Sequence, residues 1–290
     1  MSDWVAIGSP LDCSGRARGE QLGGRALREA GLLERLACED LGDVHGPITD
    51  RVRDADTGVL ALGQIRSACE AVRDAVEVAL ARERRPLVLG GDCSLLIGAA
   101  AGARRHFGRI GLVEVDGHVD CYTAANSPTG ETAEMDVGIL TGHGEASLGV
   151  LAGTAPTIRP GDAVVIGHRP VDPDGIVEAE LADPRIQLIN SEAVGRGDAA
   201  ELGEAVAEGL HAQCGRFWLH VDVDVFDAAA MPAYTYHQPG GLDWEQVEAL
   251  VGALAANPAV TGVSVADFVP PLDPDGRCAA RLADLLARVL

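Results

Sequence analysis

The chain has 290 residues, 47% of them hydrophobic, enough to bury one large core. Its formal net charge of −21 repels nucleic-acid phosphates and anionic lipid, and it suits a metal cation or a cationic small molecule. No run of about 18 apolar residues reads as a membrane span, and the opening MSDWVAIGSPLD lacks the basic and apolar regions of a secretory leader, so the sequence predicts a cytoplasmic protein.

In chain order the pattern predicts a strand at WVAIG (4–8) and a helix at GGRALREAGLLERLACE (23–39). A second helix over GQIRSACEAVRDAVEVALARE (63–83) leads to a strand at RPLVLGG (85–91). Further strands follow at RIGLVEVD (109–116), DAVVIGH (162–168) and IQLIN (186–190). Then come a helix at 199–214, a strand RFWLHVDVDV (216–225), a helix at 243–257, a strand VTGVSVAD (260–267) and a closing helix at 277–290. Strands apolar on both faces, alternating with helices, predict one α/β domain over 1–290, built on a mostly parallel sheet of about seven or eight strands. The polar stretch CYTAANSPTGETAEM (121–135) is the longest segment without a pattern, and loops of that size in compact domains are usually functional. The seven cysteines form no CxxC pair, so neither a disulfide framework nor a zinc knuckle is expected.

Reactive groups of open parallel sheets gather at the carboxyl ends of strands. There the sequence places Asp116, His118 and Asp120 in DGHVD, and Asp222 and Asp224 in HVDVDVFD, with Asp227 in the following turn. Alternate positions on extended backbone would send each set to one side. A lone aspartate in such a place is more often a helix cap or turn residue. Five such donors at the tips of two apolar strands instead demand cations, and carboxylates with one imidazole suit a hard divalent ion such as Mn²⁺.

The blocks GGDCS, DGHVD and HVDVDVFD, in that order, resemble the signature blocks of the ureohydrolase superfamily of arginases, agmatinases and formiminoglutamases. The resemblance runs from IGSPLD to VSVADFVPP and implies a three-layer α/β/α sandwich with a sheet of about eight strands. It implies two manganese ions bridged by hydroxide, one held by Cys93, Asp116, Asp120 and Asp222, the other by Asp116, His118, Asp222 and Asp224. Asp116 and Asp222 would bridge, Asp120 would carry a proton to the departing amine, and Asp267 would pair with the guanidinium where the family usually has a longer glutamate. Asp172 would recognise the α-amino end of the substrate, Thr129 would lie near its carboxylate, and Tyr122 is placed among the substrate-binding residues. The resemblance also implies a homo-oligomer, a trimer or hexamer.

Two departures stand out. Cys93 occupies a position where the family has histidine; a thiolate is the softer ligand, and the alternative is a buried filler cysteine. Ala133 falls where many arginases carry a proton-shuttling histidine, with Glu131, Glu134 and His143 as possible substitutes. His220 reads as a core histidine or as a donor behind the ligands. The cysteine, DGHVD and the SPTGETAEM loop together resemble the branch that converts Nω-hydroxy-L-arginine to hydroxyurea and ornithine in D-cycloserine biosynthesis. Alternatives are an agmatinase, a formiminoglutamase or another guanidino-acid hydrolase, or a metal-depleted paralogue acting as a binding subunit.

Overall fold

The computed structural model describes residues 3–171 and 175–290. Eight strands form one sheet: β1 (Trp4–Ser9), β2 (Glu39–Asp43), β3 (Arg85–Gly90), β4 (Gly111–Val115), β5 (Ala163–Ile166), β6 (Gln187–Ile189), β7 (Phe217–Asp222) and β8 (Val260–Ala266). Their order is β2-β1-β3-β8-β7-β4-β5-β6, and the pairings are parallel throughout.

The helices are α1 (Gly23–Glu29), α2 (Leu32–Leu36), α3 (Leu62–Ala81), α4 (Leu95–Phe107), α5 (Asp136–Thr141), α6 (Ala146–Gly149), α7 (Ser191–Arg196), α8 (Ala199–Cys214), α9 (Trp244–Ala255) and α10 (Arg277–Val289). Successive strand side chains enter opposite cores, as the pleat requires. Leu87 and Leu89 of β3 join Leu219 and Val221 of β7 against α8, α9 and α10, whereas Val88 and Trp218 face α3 and α4. The expected three layers follow. Among the described residues no helix is long and apolar enough to cross a membrane.

Two expectations need correction, and one helix goes unpredicted. The helix predicted over 23–39 breaks into α1 and α2 at Gly31, whose φ of +82° lies in left-handed space, and the chain then enters the edge strand β2. That acidic strand is held beside α1 by Arg28, which pairs with Asp40 and Asp43 at 2.9 and 3.0 Å. Helix α4 is absent from the predicted elements; all its residues from Leu95 to Ala103 are buried, so no polar face marks that stretch. Its small residues let it lie against α3: a Cβ on Gly98 would stand 2.4 Å from the Cys69 carbonyl oxygen. The strand predicted over 216–225 stops at Asp222.

Candidate metal centre and pocket

The four central strands β3, β8, β7 and β4 are neighbours, and each delivers donor groups at or beyond its carboxyl end. Cys93 follows β3, Asp267 follows β8, Asp222 closes β7 with Asp224 two residues on, and Asp116, His118 and Asp120 follow β4. All six metal-ligand candidates and Asp267 therefore meet in the crevice where open parallel sheets keep ligands.

The local backbone is not the extended comb expected from residue alternation. Because β4 ends at Val115, Asp116, His118 and Asp120 lie in a turning loop. The Asp116 carboxylate accepts the His118 backbone N–H at 2.6 Å, and Asp120 has a φ of +49°. Asp222 likewise accepts the Asp224 backbone N–H at 2.6 Å and starts a 3-10 turn over Val223–Val225. Strand geometry thus gives way to Asx turns, which aspartate forms readily and which leave its second oxygen free. Gly117 joins the two loops: its N–H donates to Asp224 Oδ1 at 2.9 Å, and a Cβ there would lie 2.7 Å from that oxygen. Buried Arg169 clamps the second turn through the carbonyls of Asp224 and Phe226, at 2.9 and 3.0 Å. Asp267 also sits in left-handed backbone, φ +62°, fixed by its N–H to the Gly91 carbonyl at 2.8 Å. Non-glycine residues hold such conformations only where their surroundings determine them, commonly at functional sites.

The donors form overlapping triads with ligand atoms within 4.8 Å of one another: Asp116, His118 and Asp224; Cys93, Asp116 and Asp120; Cys93, Asp222 and Asp267. His118 Nδ1 lies 2.8 Å from Asp224 Oδ2 and 3.7 Å from Asp116 Oδ1. Cys93 Sγ lies 2.7 Å from Asp222 Oδ2 and 3.3 Å from Asp267 Oδ2. Burial, reinforced by neighbouring carboxylates, pushes Asp116, Asp120 and Asp222 well above the ordinary carboxylate range. Burial also raises Asp267. Burial would raise Asp224 too, but His118, Arg169 and the Gly117 N–H bring it down to about 2. The Cys93 thiol is pushed far up by burial and then by Asp222, Asp267 and Asp116. So much unpaired acidity is stable when a cation sits among it, which reverses the upward shifts. The oxygen-and-imidazole triad around His118 suits a hard divalent ion, and the triads through Cys93 mix a softer donor into carboxylates.

Above the donors opens a cavity of about 280 Å³, near the small end for ligand pockets. His118, Asp120, Asp222, Asp224 and Asp267 line it, while Cys93 and Asp116 are buried behind. Tyr122 and Thr129 reach its wall from the loop predicted to be functional, and Thr235 to Gln238 form the opposite wall. Ala133, Glu131 and Glu134 also line it. His143 does not: its Nε2 pairs with Asp183 at 3.3 Å, elsewhere on the molecule, which removes it as a substitute proton carrier. Glu131 is held by Arg18 at 2.5 Å, and Glu134 accepts the hydroxyls of Ser127 and Thr129. Asp172 lies outside the described residues. Asp227 accepts the N–H groups of Ala229 and Gly240 and is a turn residue. His220 is fully buried, with Nδ1 2.7 Å from Ser264 Oγ and Nε2 3.2 Å from Cys93 Sγ, and burial lowers it to about 3, so it is a neutral imidazole behind the thiol.

Sequence reasoning missed Arg18, Arg169, Gln238, Glu114 and Asp136. Gln238 touches His118 Nε2 at 2.9 Å, and Glu114 and Asp136 lie beneath the triads. Only Glu114 left a signal, as a lone acid inside the apolar run GLVEV.

The sequence model described as the arginase family matches residues 2–290. The chain belongs to the arginase family. Arginase from Bacillus caldovelox is 30% identical over 283 residues, covering 94% of this chain and 93% of that one. Its structure superposes with a TM-score of 0.91 at 29% identity, covering 100% and 98% of the two chains. Arginase from Bacillus subtilis strain 168 is 28% identical, covering 98% of this chain and 96% of that one. Formimidoylglutamase from Bacillus subtilis shares the arginase-family fold at 18% identity, with a TM-score of 0.78 and coverage of 100% and 86%. The chain is thus an arginase-family hydrolase.

Proposed function

We propose that this arginase-family hydrolase cleaves the guanidino group of a small amino-acid-like substrate, with Nω-hydroxy-L-arginine preferred over arginine. The observation that carries the reading is the convergence of Asp120, Asp222, Asp224, Asp267 and His118 on one small acidic cavity. Asp116, His118, Asp222 and Asp224 would hold one manganese ion, and Cys93, Asp116, Asp120 and Asp222 would hold the other. Bound there, two divalent ions supply Lewis acidity and a water deprotonated near neutral pH.

The chain's own groups do the rest. Asp267, at the cavity wall, faces the guanidinium end of the substrate with its carboxylate. Asp120, on the cavity wall, carries a proton to the leaving amine. Tyr122 and Thr129 stand on the wall available to the substrate's carboxylate. Asp172 is assigned to the amino end.

Two features favour the hydroxylated substrate. A hydroxyguanidine is less basic than guanidine and brings its own oxygen, so it asks less of a site with a thiol in one ligand set and with Ala133 in place of a proton carrier. The deciding measurement is release of hydroxyurea from Nω-hydroxy-L-arginine against urea from L-arginine and agmatine, by purified enzyme with its manganese content determined. Faster urea release from arginine would overturn the substrate assignment; no hydrolysis of any of them with manganese bound would overturn the hydrolase reading. We assign the enzyme to the cytoplasm and to a homo-oligomer, a trimer or hexamer, readable by sedimentation.

A further inference from the structure

Behind the pocket, away from solvent, lies a second set of donors that shares Cys93 and Asp116 with the hydrolase reading and adds Asp136, His220 and Glu114, which that reading does not use. Cys93, Asp136 and His220 present ligand atoms within 4.8 Å of one another, and Glu114 belongs to an adjoining triad with Asp116 and His220. All are buried. Both oxygens of Glu114 and Oδ2 of Asp136 have no hydrogen-bond partner. Leaving a buried carboxylate oxygen unpaired costs stability, so three of them at one place point to an occupant.

We propose that Cys93, His220 and Asp136, with Glu114 as the adjacent oxygen donor, form a buried site for a divalent transition-metal ion of the zinc class, distinct from the carboxylate centre lining the pocket. The donor chemistry is a thiol, an imidazole and carboxylates, the mixture that selects a borderline-soft ion over manganese. The geometry agrees: bonds of about 2.3 Å to sulfur and about 2.0–2.1 Å to nitrogen at tetrahedral angles give a ligand edge of roughly 3.6 Å. Cys93 Sγ and His220 Nε2 are 3.2 Å apart, close to that edge. His220 is oriented as metal-bound histidines usually are, its other ring nitrogen anchored on Ser264 Oγ at 2.7 Å. Ser264 is in turn fixed by the indole N–H of Trp218, which donates to it at 2.9 Å. Binding exchanges the Cys93 thiol proton and the Asp136 carboxyl proton for bonds to the metal and releases both protons to water. The thiolate and one carboxylate then balance the two positive charges. One sulfur serves both sets, so an ion here withdraws Cys93 from Asp120 and leaves the pocket centre to oxygen and imidazole donors.

The test needs no substrate, so it stands or falls apart from the hydrolase reading. Metal-free full-length protein is titrated with Co²⁺ while the near-ultraviolet thiolate-to-cobalt band is followed, and Zn²⁺ is then added as competitor. A band that Zn²⁺ abolishes and that Cys93→Ser lacks is expected. Asp136→Asn and His220→Ala should weaken cobalt binding by more than about a hundredfold, and Ser264→Ala, which keeps every ligand, by roughly 10–100-fold. An absent band overturns the proposal. So does a band whose affinity is unchanged in Asp136→Asn and Ser264→Ala, because the ion would then lie among Asp116, Asp120 and Asp222. Circular dichroism confirms that each variant folds, and the Ser264 variant keeps the test open should His220→Ala not fold.

Discussion

A single thiol decides much of the chemistry. Cys93 stands within reach of Asp116, Asp120, Asp222, Asp267, Asp136 and His220, so under the proposed metal assignment its side chain would tune which ion the centre prefers. Cys93→His replaces a thiol held far above its ordinary pKa with a neutral imidazole, a ligand less soft than a thiolate and so less unfavourable to manganese. The variant is expected to bind more manganese and to release urea from arginine faster than the parent, measured by elemental analysis beside a urea assay. At this scale the sequence was generous with identities and poor with geometry. Asp116, His118, Asp120, Asp222, Asp224 and Cys93 were all legible, since acids and imidazole among apolar strand ends have few structural excuses. The alternation argument that grouped them was wrong, because Asx turns and the left-handed backbone at Asp120 and Asp267 place the side chains instead. Asp136, in a segment without a pattern, could be connected with Cys93 only once the chain was folded.

Secondary elements with an exposed face declared themselves, and those without one did not. Helices α3, α8, α9 and α10 each keep one polar side, and their apolar spacing was readable within a few residues of the observed ends. Helix α4 is buried from Leu95 to Ala103, so no polar face runs along that part of it to set it apart from a buried strand or loop. Its small residues have a packing purpose that is measurable. Adding a methyl at Gly98 drives it against the backbone of α3, where Cys69 and Val72 leave no room. Gly98→Ala is expected to lose about 1–3 kcal/mol by overpacking, despite alanine's better helix propensity, and urea unfolding monitored by circular dichroism gives the number. The edge strand β2 goes unpredicted, with only its first residue, Glu39, taken into the helix predicted over 23–39, because EDLGD carries no strand signal; pairing with β1 and the clamp of Arg28 create it.

Over the whole molecule, the gathered charge makes stability depend on pH and on metal in opposite ways. In metal-free protein Asp116, Asp120, Asp222, Asp267, Glu114 and Asp136 hold their protons more tightly than the unfolded chain does. His118 likewise has its proton held, burial being outweighed by Asp224. Groups with raised pKa contribute stability at low pH that is lost as pH climbs past the unfolded carboxylate value of about 4. His220, lowered to about 3, acts in the opposite sense but is a single group. Chelated protein should therefore melt at a higher temperature at pH 5 than at pH 8. Metal at a hundred times its dissociation constant should restore roughly 2.7 kcal/mol at pH 8, visible by differential scanning calorimetry. An unchanged melting temperature on chelation at pH 8 would remove the cation from this account.

The donors come from β3, β4, β7 and β8, segments scattered from Cys93 to Asp267 along the chain yet adjacent in the sheet. No contiguous fragment owns the crevice. Because every pairing is parallel, each connection from β3 to β8 is a crossover that must close before the last carboxylate arrives, and such non-local pairings are slow to form. An ion held as proposed would consequently be captured late in the life of each newly made polypeptide, once the β3-β8-β7-β4 core has been assembled and not merely begun.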